Sequence, residues 1–162
     1  MLKKILAIFA VLFATLSIVG CSTPTQAPVK AEPKGIIIED AWVRASEYSA
    51  KAGGMTGVFA KITNRGDKTI TLVGGTTSAA KMVQTHTVVD GIMKQMKNGI
   101  EIHVGQTLTL QPGGKHIMLM GLTQPIVVGD KITFTFEFDK ADPQTFTLTA
   151  KESAGGDETY KK

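Results

Sequence analysis

Short runs in which apolar residues alternate with polar ones recur along most of the chain. In the clearest run, four apolar side chains are separated by Thr133, Thr135 and Glu137; the four are Ile132, Phe134, Phe136 and Phe138. An alternation with a period of two buries one face of a β-strand. By the same criteria, further strands are expected at 36–44, 55–63, 68–74, 80–89, 91–96, 106–110, 116–120 and 144–150.

Residues that favour turns separate these runs, and no stretch has a sustained helical period. The main turn motifs are Asn64-Arg65-Gly66-Asp67, Asp90-Gly91, Gln111-Pro112-Gly113-Gly114 and Gly129-Asp130. Many short strands at this spacing are typical of sandwiches and barrels. The pattern therefore predicts an all-β domain, a Greek-key β-sandwich or barrel of about eight or nine short strands.

The beginning of the chain has a different pattern. Lys3 and Lys4 precede an apolar run at 5–19, which is shorter than the roughly 20 residues needed to span a bilayer. The run closes on Ile18-Val19-Gly20-Cys21, which resembles a lipobox, the motif whose cysteine receives a diacylglyceryl group in bacterial lipoproteins. Residues 1–20 are therefore predicted to be a lipoprotein signal peptide, the alternative being an ordinary signal peptide with a chance cysteine.

Two segments flank the predicted domain. Residues 21–35 comprise Cys21, the expected lipidation site, and a polar, proline-containing tether that cannot bury enough apolar surface to fold. Residues 152–162 are charged and contain glycine, and we expect a disordered tail there. The folded β domain is expected at 36–151, which is the size of one domain.

Cysteine content and charge exclude several classes of protein. Cys21 is the only cysteine, so the chain has no internal disulfide framework, and the folded part has no thiolate metal site. Loss of residues 1–20 removes two lysines, which leaves 16 basic against 14 acidic residues and lowers the formal net charge from +4 to +2. Without a basic stripe with interleaved aromatic residues, nucleic acid is not an expected partner.

The sequence contains no arrangement typical of catalysis. A nucleophile needs a general base beside it, and the side chains that ordinarily titrate near neutral pH are His86, His103 and His116. No nucleophile elbow, His-Glu-x-x-His helix or paired-cysteine spacing is present. The protein is therefore not expected to be an enzyme.

Histidine and methionine cluster on predicted strands. Strand alternation places His116, Met118 and Met120 on one face of the strand at 116–120, with Ile117 and Leu119 on the other.

A second cluster follows from the same parity. It places Met82, Gln84 and His86 on one face of the strand at 80–89, and a turn at Asp90-Gly91 would return the chain through Met93 to Met96. The two clusters of histidine and methionine are expected to meet.

The chemistry of these side chains favours Cu(I). Thioether sulfur is soft and imidazole is borderline, so such a set fits Mg²⁺, Ca²⁺ and Zn²⁺ poorly. A blue-copper electron carrier requires a cysteine thiolate, and Cys21 is assigned to the lipid, which favours storage or transfer over redox relay. Packing remains the alternative role for the methionines, and His103, which lies away from both clusters, is not included in the site.

The chain resembles the PCuAC-type periplasmic copper chaperones, whose signature is a histidine, a later methionine and a His-x-Met pair. The match is His86, Met96, His116 and Met118. Supporting segments in the same order are Asp40-Ala41-Trp42-Val43-Arg44-Ala45, Asn64-Arg65-Gly66-Asp67, Asp90-Gly91-Ile92-Met93, Gly129-Asp130 and the stretch 110–122. The two gaps between the signature residues are one and two residues shorter than is usual in the family, and Met93 is the substitute if the shorter gap displaces Met96.

The resemblance implies a cupredoxin-like β-barrel that binds one Cu(I) ion at an exposed edge through these residues. Auxiliary ligands would be Met93, Met120 and Met82. The implied partner is a copper-accepting protein, such as a cytochrome c oxidase subunit or another assembly factor for its copper centre. Some members carry a second copper site in a C-terminal extension rich in histidine and methionine, but this tail contains neither residue.

Together these features predict a monomeric copper(I) chaperone. It is expected to be exported and lipid-anchored to a bacterial membrane, facing the periplasm or the cell exterior. Two alternatives remain open: a lipid-anchored β-sandwich binding or scaffolding module without metal, and a copper-dependent redox enzyme, against which the missing cysteine argues.

Overall fold

The structure, a computed structural model, describes residues 34–45 and 53–152. The predicted signal peptide, Cys21, most of the predicted tether and nearly all of the predicted tail lie outside the described residues. The described residues form ten strands and no α-helix: β1 (Gly35–Ala45), β2 (Met55–Arg65), β3 (Ile70–Thr76), β4 (Ala80–Val89), β5 (Ile92–Gln95), β6 (Ile100–Ile102), β7 (Thr107–Leu110), β8 (His116–Leu122), β9 (Lys131–Asp139) and β10 (Gln144–Glu152).

The prediction of an all-β domain is confirmed, with one strand more than expected. Each of the nine predicted strands has a counterpart, and β6 is the addition. It consists of the three residues Ile100–Ile102, which are too few to show an alternating pattern in the sequence. Among the described residues, no helix is long and apolar enough to cross a membrane.

The described strands form one continuous sheet in the order β5-β4-β8-β2-β1-β10-β9-β3-β6, with β7 beside β2. On one side, the first half of β2 pairs with β8 and its second half pairs with β7. β1 and β10 are the only parallel pair among the described strands. This arrangement puts β4 and β8, the two strands that carry the histidines, next to each other.

The sheet closes over one hydrophobic core. Ile62 on β2, Leu72 on β3, Phe134 on β9 and Leu148 on β10 are all fully buried and belong to the same apolar cluster. Strands from distant parts of the sheet order therefore contribute to a single core, which is the stable solution for a sheet with one apolar face. These strands belong to one compact unit, Glu32–Lys162, so the domain contains its own core.

A tight hairpin joins β4 to β5 at the predicted turn. Asp90 and Gly91 have φ angles of 54° and 72°, and positive φ at both central residues is the requirement of a type I′ turn. The turn sets the register of the hairpin, in which Val89 lies opposite Ile92 and His86 lies opposite Gln95.

Asn64 fastens the loop after β2 to β6. Its amide nitrogen donates to the carbonyl oxygens of Lys68 at 2.8 Å and Ile102 at 2.9 Å, and its side-chain oxygen accepts from the backbone N–H of Gly66 at 2.9 Å. The side chain is buried, so water cannot replace these partners.

We expect Asn64→Ala to lower the free energy of unfolding by about 3 kcal/mol, because backbone groups at the buried site lose their partners. The matched control is Thr63→Ala on the same strand, where an exposed hydroxyl contact to Thr107 is lost and less than about 1 kcal/mol should follow. Chemical denaturation of both variants measures the difference, and equal midpoints would contradict this role of Asn64.

Candidate metal centre

Three rows of paired residues lie on one face of the sheet formed by β4, β8 and β2, and we call this face the coordinating face. Residues directly opposite each other in an antiparallel pair project to the same face. The first row pairs His86 with His116, and the second joins Gln84, Met118 and Gly57. The third row consists of Met82, Met120 and Met55.

The two histidines are direct cross-strand neighbours. His86 on β4 lies opposite His116 on β8, and their ring centroids are 5.9 Å apart at an interplanar angle of 48°. Met118 projects to the same face two residues further along β8. The structure thus brings together three of the four signature residues.

A backbone carbonyl orients the ring of His116. The Nδ1 atom lies 2.9 Å from the carbonyl oxygen of Gly114, so Nδ1 carries the hydrogen and donates it, and Nε2 has the lone pair. The turn before β8 presents this carbonyl, since Gly114 N–H donates to the Gln111 oxygen and Gln111 N–H donates to the Lys115 oxygen. Metal-binding histidines are commonly oriented by such a contact at the other ring nitrogen.

The amide of Gln84 orients His86 in a comparable way. Its Oε1 atom lies 3.0 Å from His86 Nε2, and its Nε2 atom lies 3.0 Å from the sulfur of Met82. His86 Nε2 therefore donates, and Nδ1 has the lone pair. Nδ1 is buried, and no described residue offers it a hydrogen bond. A buried polar atom without a partner is costly, and a metal ion would satisfy it.

The surroundings keep His86 in the form that binds metal. Burial lowers the pKa of its imidazole, and the nearby His116 lowers that pKa further. Both effects disfavour the charged ring. Metal ions bind the neutral ring, so the same burial favours a ligand role.

The histidine end of the coordinating face is largely covered, which corrects the exposed edge that the resemblance implied for the metal centre. His116 and Met118 are each only 2% exposed. The ring of Phe59 lies over Gly57, where a Cβ atom would come within 2.7 Å of it, and its centroid is 6.3 Å from that of His116. Trp42 in turn packs on Phe59 at 4.6 Å. Aromatic residues from β1 and β2 therefore cover one side of the centre, and His86, at the side of β5, is half-buried.

Met96 and Met93 occupy different positions relative to this centre. Met96 follows β5 and exchanges hydrogen bonds with Thr85, the neighbour of His86, but its side chain packs against the hydrophobic core. Met93 lies opposite Val88 on β4, on the coordinating face. Strand spacing and rise put its Cα about 16 Å from that of Met118, which is farther than two methionines can bridge through one ion.

The structure also shows where the remaining candidate residues lie relative to the centre. Met82 and Met120 lie together in the third row, and Met55, which the sequence pattern did not single out, completes it. His103 lies between β6 and β7, where its Nδ1 is 3.2 Å from the hydroxyl of Thr69. No cluster of three or more His, Cys, Asp or Glu side chains suited to a metal occurs among the described residues, so a site on this face depends on thioethers.

Solved structures of other proteins share this fold. The copper-bound PCuAC domain from PmoF2 superposes with a TM-score of 0.62 at 23% identity, over 73% of this chain and 93% of that domain. The solution structure of CuI-DR1885 from Deinococcus radiodurans has a TM-score of 0.61 at 29% identity, over 79% of this chain and 85% of that one. The predicted cupredoxin-like fold of PCuAC domains is confirmed.

Sequence comparison identifies the family to which the chain belongs. The chain is 36% identical over 153 residues to "Putative lipoprotein Lxx21020" of Leifsonia xyli subsp. xyli (strain CTCB07), a match that covers 90% of this chain and 89% of the relative. The profile of the family described as "Putative lipoprotein LpqE-like" matches residues 36–150. This match covers nearly every described strand, and the chain therefore belongs to the LpqE-like lipoprotein family.

Proposed function

We propose that this protein is a copper(I) chaperone that holds one Cu(I) ion between His86 and His116, with Met118 and Met96 as thioether ligands. The observation that carries the proposal is the histidine pair on adjacent strands, in which an oriented partner holds one nitrogen of each ring. Two imidazoles and two thioethers form a neutral, soft donor set that suits Cu(I). The likeness to the Cu(I)-bound DR1885 structure supports the choice of metal.

Met96 is the better fourth ligand for reasons of distance. Its backbone lies beside Thr85, one residue from His86, whereas Met93 is displaced toward the hairpin turn. The side chain of Met96 must turn away from the core to reach the ion. Methionine has three rotatable bonds and adapts to such changes more readily than other apolar residues.

The different burial of the ligands suits delivery. His86 is half-buried at the β5 side of the centre, and Met96, which packs against the core until it turns toward the ion, is also half-buried, whereas His116 and Met118 are buried. An incoming acceptor can replace the outer ligands first, while the inner pair still holds the ion. We assign the protein to transfer rather than catalysis, with the copper centre of cytochrome c oxidase as the destination.

Lipidation at Cys21 would place this exchange at a membrane. Cys21 ends the apolar run at the start of the chain, and the family and the relative are both described as lipoproteins. An anchor outside the cytoplasm raises the effective concentration of the donor near membrane-bound acceptors. The protein then acts as a monomer on a bacterial membrane, facing the periplasm or the cell exterior.

The first test is a Cu(I) competition titration on residues 22–162 with a chromophoric chelator under reductant. We expect one equivalent bound at the histidine centre, with its affinity lowered by at least about tenfold in His86→Ala and in Met118→Ala, because loss of a residue that only orients a metal ligand already costs that much. His103→Ala is the matched control and should bind as the unmodified protein does. If the unmodified domain takes no copper from the chelator, the protein is a binding module without metal.

The fourth ligand is tested with a pair of variants. Met96→Leu is expected to weaken Cu(I) binding, and Met93→Leu is expected to leave it unchanged, because leucine preserves volume but has no sulfur. The same competition titration measures both. The reverse result would assign the ligand to Met93.

The lowered pKa of His86 predicts a pH dependence of the metal-free protein. The fold favours the neutral ring of His86. The contribution of this residue to folding stability is therefore complete above the ordinary pKa of 6.5, and it is lost as the pH falls from there through the lower pKa of the folded state. An NMR titration of the imidazole resonances should give a midpoint for His86 below 6.5. A midpoint at or above that value would show that the ring is not desolvated as described.

A further inference from the structure

A row of three methionines crosses the coordinating face beyond the histidine centre. Met55 on β2 lies directly opposite Met120 on β8, and Met120 lies directly opposite Met82 on β4. Side chains opposite each other in antiparallel strands have Cβ atoms about 5 Å apart. The three flexible side chains therefore start close enough for their sulfur atoms to converge on one ion.

Core packing does not explain this row. Met55 is 44% exposed and Met82 is 50% exposed, and the flanking residues in the row belong to neither the buried core nor the side chains packed against it. Methionine in a core fills gaps between apolar neighbours, but these side chains lie on the solvent side of the sheet. Because Met55 and Met82 are exposed and Met120 between them is half-buried, the row is accessible to a ligand.

The sulfur of Met82 already acts as an acceptor on this face. Gln84 donates its amide N–H to that sulfur at 3.0 Å, while the oxygen of the same amide faces His86. One amide therefore connects the methionine row with the histidine centre. Met120 is also two residues from Met118 on the same face of β8.

We propose that Met55, Met82 and Met120 form a second, three-thioether site for Cu(I), separate from the centre at His86 and His116. Three neutral soft sulfur donors select Cu(I) over hard divalent cations by the same chemistry that applies to the first site. The site lies at the accessible end of the face, and Met118 stands between it and the histidines. The site would receive copper and pass it inward to the histidines. This loading role rests on the proposed function, whereas Cu(I) binding by the three methionines does not.

The test counts equivalents and identifies the methionines that respond. Residues 22–162, labelled at the methionine methyl groups with carbon-13, are titrated with Cu(I) under reductant and followed by NMR. We expect two equivalents, with the methyl resonances of Met55, Met82 and Met120 moving together during one of them. The variant Met55→Leu, Met82→Leu, Met120→Leu preserves volume and should bind one equivalent less.

A second variant separates this proposal from the proposed function. In His86→Ala the methionine row should still bind one equivalent, with the same three methyl groups responding. If the unmodified protein binds one equivalent, and the triple leucine variant retains it, the second site is wrong and the chaperone centre stands. If the only equivalent survives in His86→Ala but is lost in the triple variant, the second site stands and the histidine centre is wrong. No binding in any variant would overturn both.

Discussion

The register of β4 against β8 is the constraint on which the rest of the centre depends. In this pairing Met82, Gln84 and His86 lie opposite Met120, Met118 and His116, so the two histidines face each other and the candidate ligands of both strands share one face. Because the side chains of a strand alternate between faces, a slip of one residue would turn one set of donors toward the core. The apolar partners Ile117 and Leu119, both fully buried, oppose such a slip, and the hydrophobic core therefore also maintains the alignment of the ligands.

The polar contacts around the histidines have a separate role, which is to determine which nitrogen of each ring carries the hydrogen. Gly114 directs the proton of His116 to Nδ1, and Gln84 directs that of His86 to Nε2. The covering residues Phe59 and Trp42 exclude water from the inner side. In the proposed function, a centre that is covered on one side and half-open on the other would hold an ion by its inner ligands and exchange it through its outer ones.

Much of this arrangement can be predicted from local sequence pattern, because strand parity is a local property. Alternation located nine of the ten described strands and put His116 with Met118 on one face. The pairing of His86 with His116 joins residues distant in the chain, and it was predicted only as a meeting of clusters. The burial of Met118 could not be predicted, because Phe59 lies on another strand and its ring covers Gly57, whose lack of a side chain makes room for it. Trp42, on a third strand, packs against Phe59. Met55 was missed for the same reason, since its relation to Met120 exists only across strands.

The most direct measurement of the central claim is the X-ray absorption spectrum at the copper edge of residues 22–162 loaded with one equivalent of Cu(I). The structure predicts a mixed first shell, with nitrogen from two imidazole rings and sulfur from methionine, and a sulfur contribution that decreases in Met118→Leu. A first shell of nitrogen and oxygen without sulfur, or a spectrum that does not change in that variant, would contradict a centre formed by histidine and methionine across β4 and β8.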